Sequence, residues 1–147
     1  MHSIEKSSSS NRISEFLNLV EKEFLPPLKT RLNIVDYSVK LAKYATNLFI
    51  VNHTEDIAFV SFYANEFDSE NSYITILAVK SKFKGLGLAN DLIEQVKRIS
   101  TTKNKKNIFL EVNKNNKIAT SCYKKNGFFL HEEKEESKVL MKFTFAI

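Results

Sequence analysis

The chain has 147 residues, enough for one domain with a sizeable core. Its 43% apolar and 27% charged content is that of a folded globular protein and excludes a disordered one. No apolar run approaches a membrane span, and a single cysteine, Cys122, excludes an intrachain disulfide and a Cys-rich metal site. The net charge of +5 suits an anionic ligand, but the basic residues are scattered, without the arm or stripe of a nucleic-acid binder.

Residues 1–10 are polar and serine-rich, lack the apolar core of a secretory signal, and read as a flexible tail ahead of a single domain over 11–147. With one free cysteine, a reducing, cytoplasmic location is expected. Ile13, Phe16, Leu17, Val20 and Phe24 recur at helical spacing, with Ser10 or Asn11 as the cap and Pro26-Pro27 as the stop. Ile34, Tyr37, Leu41 and Tyr44 predict a second helix capped by Asn33. Apolar runs at 47–52, 57–64 and 72–79, separated by polar turns, predict three antiparallel strands. Leu86, Ala89, Leu92, Ile93, Val96 and Ile99 then mark a helix to about Ser100, followed by a strand at 107–112. Strand, helix, strand over this length is a right-handed crossover between parallel neighbours. A short helix from about Asn116 to Lys125, with Gly127 just past its end, leads to a final hairpin of 128–131 and 138–145. The expected fold is α/β: a mixed sheet with helices on both faces, in the order ααβββαβαββ.

Glycine is the informative count. An average chain of this size carries about ten; this one has three, and Gly85 and Gly87 share one loop between the most apolar strand and a clear helix. The free amides and dipole of a helix N-terminus favour an anion there, small residues let a diphosphate approach, and Lys82 and Lys84 add charge. A tight turn using glycine for packing fits the loop equally well. The P-loop pattern is absent, and the dinucleotide fingerprint lacks its third glycine at Asn90.

Two longer segments distinguish these readings. Residues 77–92 resemble the acetyl-CoA motif of the GNAT superfamily, Gln/Arg-x-x-Gly-x-Gly/Ala after a Val-ended strand, here Lys84-x-x-Gly87-x-Ala89 behind Val79. Lysine in the first position keeps the charge. Downstream, Asn116-x-x-Ala119-x-x-x-Tyr123-x-x-x-Gly127-Phe128 resembles the second family block at every anchor. The family usually opens with a strand before its first two helices; none is evident before Ile13, so that strand is either missing or lies in the polar start.

The resemblance implies an acetyl-CoA-dependent N-acetyltransferase that acts on a primary amine by direct attack in a ternary complex. On this reading no metal is needed and the enzyme is expected to be a monomer or homodimer, while composition and charge give no reason to expect nucleic acid or a membrane as partner. It implies that backbone amides of Gly85, Leu86, Gly87, Leu88, Ala89 and Asn90, beside Lys84, hold the pyrophosphate. Leu77 and Val79 would pair through their backbone with the pantetheine arm, one free amide polarising the thioester carbonyl. Asn116, at a helix start, is either a plain cap or a cap that also reaches pantetheine. Tyr123 is the implied acid for the leaving thiolate; its alternative is a buried core tyrosine. Glu111, facing away from Leu110 and Val112, matches a position where some members carry a catalytic base, and an ordinary solvated glutamate is as good a reading. Glu66 is a weaker candidate acting through water. Cys122 reads as a packed thiol, and Lys124 and Lys125 either reach the 3′-phosphate or complement a helix end. The acceptor would be set by the two early helices, the segment 63–66 and the last hairpin, with a small molecule or amino sugar preferred over a protein. A non-catalytic acyl-CoA-binding domain of the same fold is the alternative function.

Overall fold

The computed structural model describes residues 2–65, 68 and 70–146. Seven strands form one sheet: β1 (His2–Lys6), β2 (Thr46–Asn52), β3 (Glu55–Tyr63), β4 (Asn71–Val79), β5 (Asn107–Asn113), β6 (Phe129–Glu133) and β7 (Lys138–Thr144). Their spatial order is β1-β2-β3-β4-β5-β7-β6, and only β4 and β5 run parallel. The helices are α1 (Ser10–Val20), α2 (Ile34–Tyr44), α3 (Leu88–Thr102) and α4 (Lys117–Lys125).

The expected order of elements holds with one correction: a strand precedes α1. His2–Lys6, read from sequence as a flexible tail, pairs in register with β2 from His2 opposite Asn52 to Lys6 opposite Leu48. All five residues are exposed, so this edge strand is held by main-chain hydrogen bonds and leaves no apolar alternation in the sequence. Arg12 anchors the region, donating from Nε (2.8 Å) and Nη2 (2.7 Å) to the two carboxylate oxygens of Asp56 and from Nη2 to Glu5 at 3.2 Å.

Helix α1 is capped by Ser9, one residue before the expected Ser10, whose hydroxyl accepts from the Arg12 amide at 3.2 Å. Its periodic residues Ile13, Phe16, Leu17 and Val20 are all buried. The helix stops at Val20, and a 3₁₀ turn over Glu21–Glu23 carries the chain on, leaving Phe24 extended outside it. Asn33 caps α2 as expected. Helices α1 and α2 cover one sheet face, with Phe49, Phe59 and Ile76 beneath them; α3 and α4 cover the other, over Val60, Ile74 and Leu110. A buried amide locks α2 to the sheet: Asn47 Nδ2 donates to the carbonyls of Leu41 (2.9 Å) and Ala45 (3.2 Å), while its Oδ1 accepts from Ser61 at 2.7 Å.

Two irregularities in β4 position the site. Ser61 pairs with Ile76 but Phe62 with Ile74, so Thr75 is the extra residue of a β-bulge. The bulge resets the alternation: Ile74, Leu77 and Val79 pack with the α3–α4 core, Ile76 and Ala78 with the α1–α2 core. In addition, pairing of β4 with β5 ends at Ile74 opposite Leu110, although β4 runs on to Val79 and β5 to Asn113. Beyond that point the two parallel strands part, and among the described residues one edge of β4 has no strand partner.

Candidate active site

The parted strands open into a cleft of about 710 Å³. One wall is the free end of β4 with Leu77, Ala78 and Val79; the glycine loop and the start of α3 form the second, and α4 the third, through Asn116, Ala119 and Tyr123. Lys84, Gly85, Gly87, Leu88, Ala89 and Asn90 all line it, so the structure brings together in one cavity nearly every residue assigned to the cofactor from sequence. Leu86 is exposed on the loop and its side chain is not part of the lining.

Backbone conformation explains the loop. Gly85 and Gly87 have φ of +83° and +79°, left-handed values that strain any residue with a Cβ. A methyl group at either would meet no atom within 4 Å, so conformation and an open approach, not crowding, require glycine there. Gly87 is the residue flanking the helix start, two positions later than the periodicity suggested, and no side chain caps it. The Asp91 amide bonds the Gly87 carbonyl at 3.1 Å, which leaves the amides of Leu88, Ala89 and Asn90 as the unsatisfied donors of the first turn. They sit at the positive end of the 15-residue helix α3. Gly127 has the same handedness (φ +91°) for another reason: it closes α4, with the Phe143 ring 3.0 Å from where its Cβ would be.

At the start of α4, Asn116 is the helix cap and also faces the cleft. Its Oδ1 accepts from the Ala119 amide at 3.1 Å, the ordinary cap, and the residue lines the cleft. Tyr123, two turns further, is 9% exposed and packs edge-on against Phe128, with ring centroids 5.9 Å apart. Burial first, and the neighbouring Cys122 second, push its phenol well above the usual tyrosine range, so it carries its proton throughout the neutral region. Among the described residues no hydrogen bond occupies its hydroxyl. The Cys122 thiol, which also lines the cleft, is likewise raised by burial, with Lys125 opposing. Asn90 and Asn126 tie α3 to α4 through a 2.8 Å amide–amide hydrogen bond.

Glu111 does not reach this cavity. It is exposed on β5, on the face opposite Leu110, and its carboxylate acts on Tyr73. Tyr73 lies directly beside Tyr63 on β3 and Phe109 on β5, on the sheet face that carries α2. Its pKa is pushed up to about 12, by burial first, then Glu111 and Tyr37. Burial likewise raises Tyr37 and Tyr63. The Tyr37 and Thr75 hydroxyls share a 2.7 Å hydrogen bond, which pins α2 to the bulge. These groups stand on the far side of the strand split from Tyr123. Glu66 lies outside the described residues. Lys124 and Lys125 flank a shallow groove on the outer face of α4 that joins the cleft at Lys117, Ser121 and Lys125.

Sequence reading missed Glu23, Phe24 and Phe83 as cleft residues. Phe24 fits the helical period of α1, and only the early end of that helix turns it into the cleft. Among the described residues no three metal-ligating side chains come together, and no helix is long and apolar enough to cross a membrane.

Comparison with known proteins agrees with this geometry. No curated protein matches the chain. Solved structures do match over nearly their whole length. A PaiA N-acetyltransferase from Thermoplasma acidophilum in complex with coenzyme A is 15% identical, with 97% of this chain and 99% of that one covered and a TM-score of 0.75. A GNAT family acetyltransferase from Elizabethkingia anophelis with acetyl-CoA bound is also 15% identical, with 98% of each chain covered and a TM-score of 0.75. An acetyltransferase from Streptococcus agalactiae, 11% identical with 98% of each chain covered, superposes with a TM-score of 0.81. At such identities the likeness establishes the fold, and the family follows from sequence: the model for the acetyltransferase (GNAT) family matches residues 13–128, which include both glycine loop and Tyr123 helix. The chain belongs to the GNAT acetyltransferase family.

Proposed function

We propose that the protein transfers an acetyl group from acetyl-CoA to a primary amine, the acceptor being a small molecule or amino sugar, by direct attack in a ternary complex. The observation that carries this reading is the split between β4 and β5, which opens one edge of β4 onto uncapped helix amides at one end and Tyr123 at the other. The residues present fit coenzyme A: three free amides and Lys84 for a diphosphate, an unpaired strand edge for an amide-bearing arm, and open space over both loop glycines. Lys117 and Lys125 at the joined groove suit the remaining phosphate.

In this scheme the amides of Leu88, Ala89 and Asn90 hold the diphosphate, and Asn116 keeps its cap while its amide nitrogen faces the arm. A free amide of the strand segment ending in Leu77 and Val79 donates to the thioester carbonyl and stabilises the negative charge that develops on its oxygen. Tyr123 donates its proton to the departing sulfur. Its raised pKa keeps that proton in place until the thiolate forms, and the burial that raises the phenol also raises a thiolate beside it, which makes the transfer feasible. Glu111 serves as the base from the other side of the split, where the phenols of Tyr73, Tyr63 and Tyr37 line the approach. The attacking amine must be neutral, and an exposed carboxylate beside apolar rings both attracts its ammonium form and accepts the proton.

The test is a thermal-shift titration with acetyl-CoA and CoA, with ATP and NAD as controls, followed by a thiol-release assay across a panel of amines. A ligand at 100 times its dissociation constant stabilises a fold by about 2.7 kcal/mol. Stabilisation by acetyl-CoA and CoA alone, with thiol release on adding an amine, is expected. A folded protein that responds to neither ligand refutes the reading.

A further inference from the structure

The cleft contains an anion of its own. Glu23 closes the 3₁₀ turn after α1, and Lys84 stands immediately before the first loop glycine; both line the cavity, and their side chains meet across it at 2.7 Å. Lys84 is the cation placed beside the free amides of α3. The Lys84 side chain is half exposed (54%), while the Glu23 side chain is more covered (24%). A diphosphate arriving at those amides therefore meets a lysine already engaged and a negative charge within bonding distance of that lysine.

We infer that Glu23 is a built-in competitor for Lys84, lowering the affinity of the cleft for its diphosphate-bearing substrate until that substrate displaces it. The chemistry is an exchange of one anion for another at a single ammonium. Glu23 withholds the lysine from the incoming phosphates and repels them, and in the loaded state its carboxylate is set free at the wall beside Phe24. Glu23 thus acts through Lys84 as a positioning residue that sets cofactor affinity. The inference rests on the reading of this cleft as the coenzyme A site.

Titration calorimetry with CoA tests it on four proteins: the wild type, Glu23→Gln, Lys84→Met and the double variant. Glu23→Gln keeps the side chain's size and removes its charge, and tighter CoA binding, by roughly two- to fivefold, is expected from releasing an exposed ion pair. Lys84→Met weakens binding, and on that background the gain from Glu23→Gln shrinks. A merely structural Glu23 would give the opposite sign, since disturbing the turn loosens the cleft wall. Unchanged or weaker binding by Glu23→Gln overturns the inference, as does an equal gain with and without Lys84, which would mean a general field effect. Wild-type protein that binds no CoA would instead refute the proposed function.

Discussion

Two glycines with nearly the same backbone conformation are expected to respond to alanine in opposite ways. Gly87 (φ +79°) and Gly127 (φ +91°) both occupy the left-handed region, where a Cβ costs roughly 1–2 kcal/mol. At Gly87 nothing lies within 4 Å of the added methyl, so conformational strain is the whole cost, and the melting temperature falls by about 3 °C per kcal/mol in a chain of this size. At Gly127 the methyl lies 3.0 and 3.1 Å from two Phe143 ring atoms. That ring is wedged between Phe128 (5.6 Å) and Phe145 (5.0 Å) and cannot easily yield, which adds about 1–3 kcal/mol of overpacking. Gly127→Ala should thus lose about twice the stability of Gly87→Ala. Binding reverses the ranking. Relief of strain at Gly87 re-aims the amides of Leu88 and Ala89, and losing one amide bond to a charged group, about 1.5–3 kcal/mol, weakens CoA binding by about 10- to 150-fold. Gly127→Ala, assayed well below its melting temperature, should bind CoA within about twofold of wild type, since one kcal/mol would already show as fivefold. Calorimetric melting and CoA titration on the same samples decide the matter. If Gly87→Ala binds CoA like wild type, the glycine loop is only a turn, and the anion-site argument falls.

Tyr123→Phe keeps the ring against Phe128 and removes a hydroxyl bonded to no described residue; turnover should fall by about 10²- to 10⁴-fold with CoA affinity unchanged, measured by single-turnover thiol release. Glu111→Gln should move the rising limb of the pH–rate profile to higher pH, because the amine must then lose its proton unaided; an unshifted profile between pH 6 and 9 removes Glu111 from the mechanism. Tyr73 has a folded-state pKa raised to about 12 from 10, so its contribution to stability is complete below pH 10 and is lost as pH rises toward 12. Denaturant midpoints measured from pH 9 to 11.5 should fall less steeply in Tyr73→Phe than in wild type.

Elements with a buried stripe were legible in the sequence because burial writes periodicity. The spacing of Ile13, Phe16, Leu17 and Val20 and the strand run ending in Val79 are direct records of two core faces. Strand β1 has no such record, since its residues are exposed and it is held by main-chain pairing and the Arg12–Glu5 contact, neither of which needs an apolar stripe. The end of α1 was misread for the converse reason. Phe24 keeps the helical period, but the chain has already tightened into a 3₁₀ turn ahead of Pro26, and the ring serves the cleft instead of the helix. The bulge at Thr75 is equally silent: a one-residue slip leaves the apolar run of β4 unchanged while it moves Ile76 to the opposite face from Ile74.

The proposed cofactor half of the site was legible residue by residue and the proposed acceptor half only as segments, because the two are built from different parts of the chain. A diphosphate and an amide-bearing arm are held by backbone, and backbone can be freed in few ways: left-handed glycines before a helix, a capping asparagine, a strand edge left unpaired. Each demands particular residue types at fixed spacing, which is why Gly85, Gly87 and Asn116 stood out in a chain otherwise poor in glycine. The proposed acceptor side lies across the sheet, where Tyr63, Tyr73 and Phe109 stand side by side on three strands and Tyr37 descends from α2 onto Thr75. No local spacing relates residues that meet only through register, so the sequence points to the segment 63–66 and the early helices without pairing Tyr63 and Tyr37 with Tyr73. The same logic locates substrate choice. On the proposed reading, changes at the glycine loop should act on every reaction that uses acetyl-CoA, whereas changes at Tyr37, Tyr63 or Tyr73 should alter which amine is accepted and leave CoA binding intact. Activity profiles of these three variants across the amine panel should therefore shift in pattern, while their CoA titrations overlay the wild type.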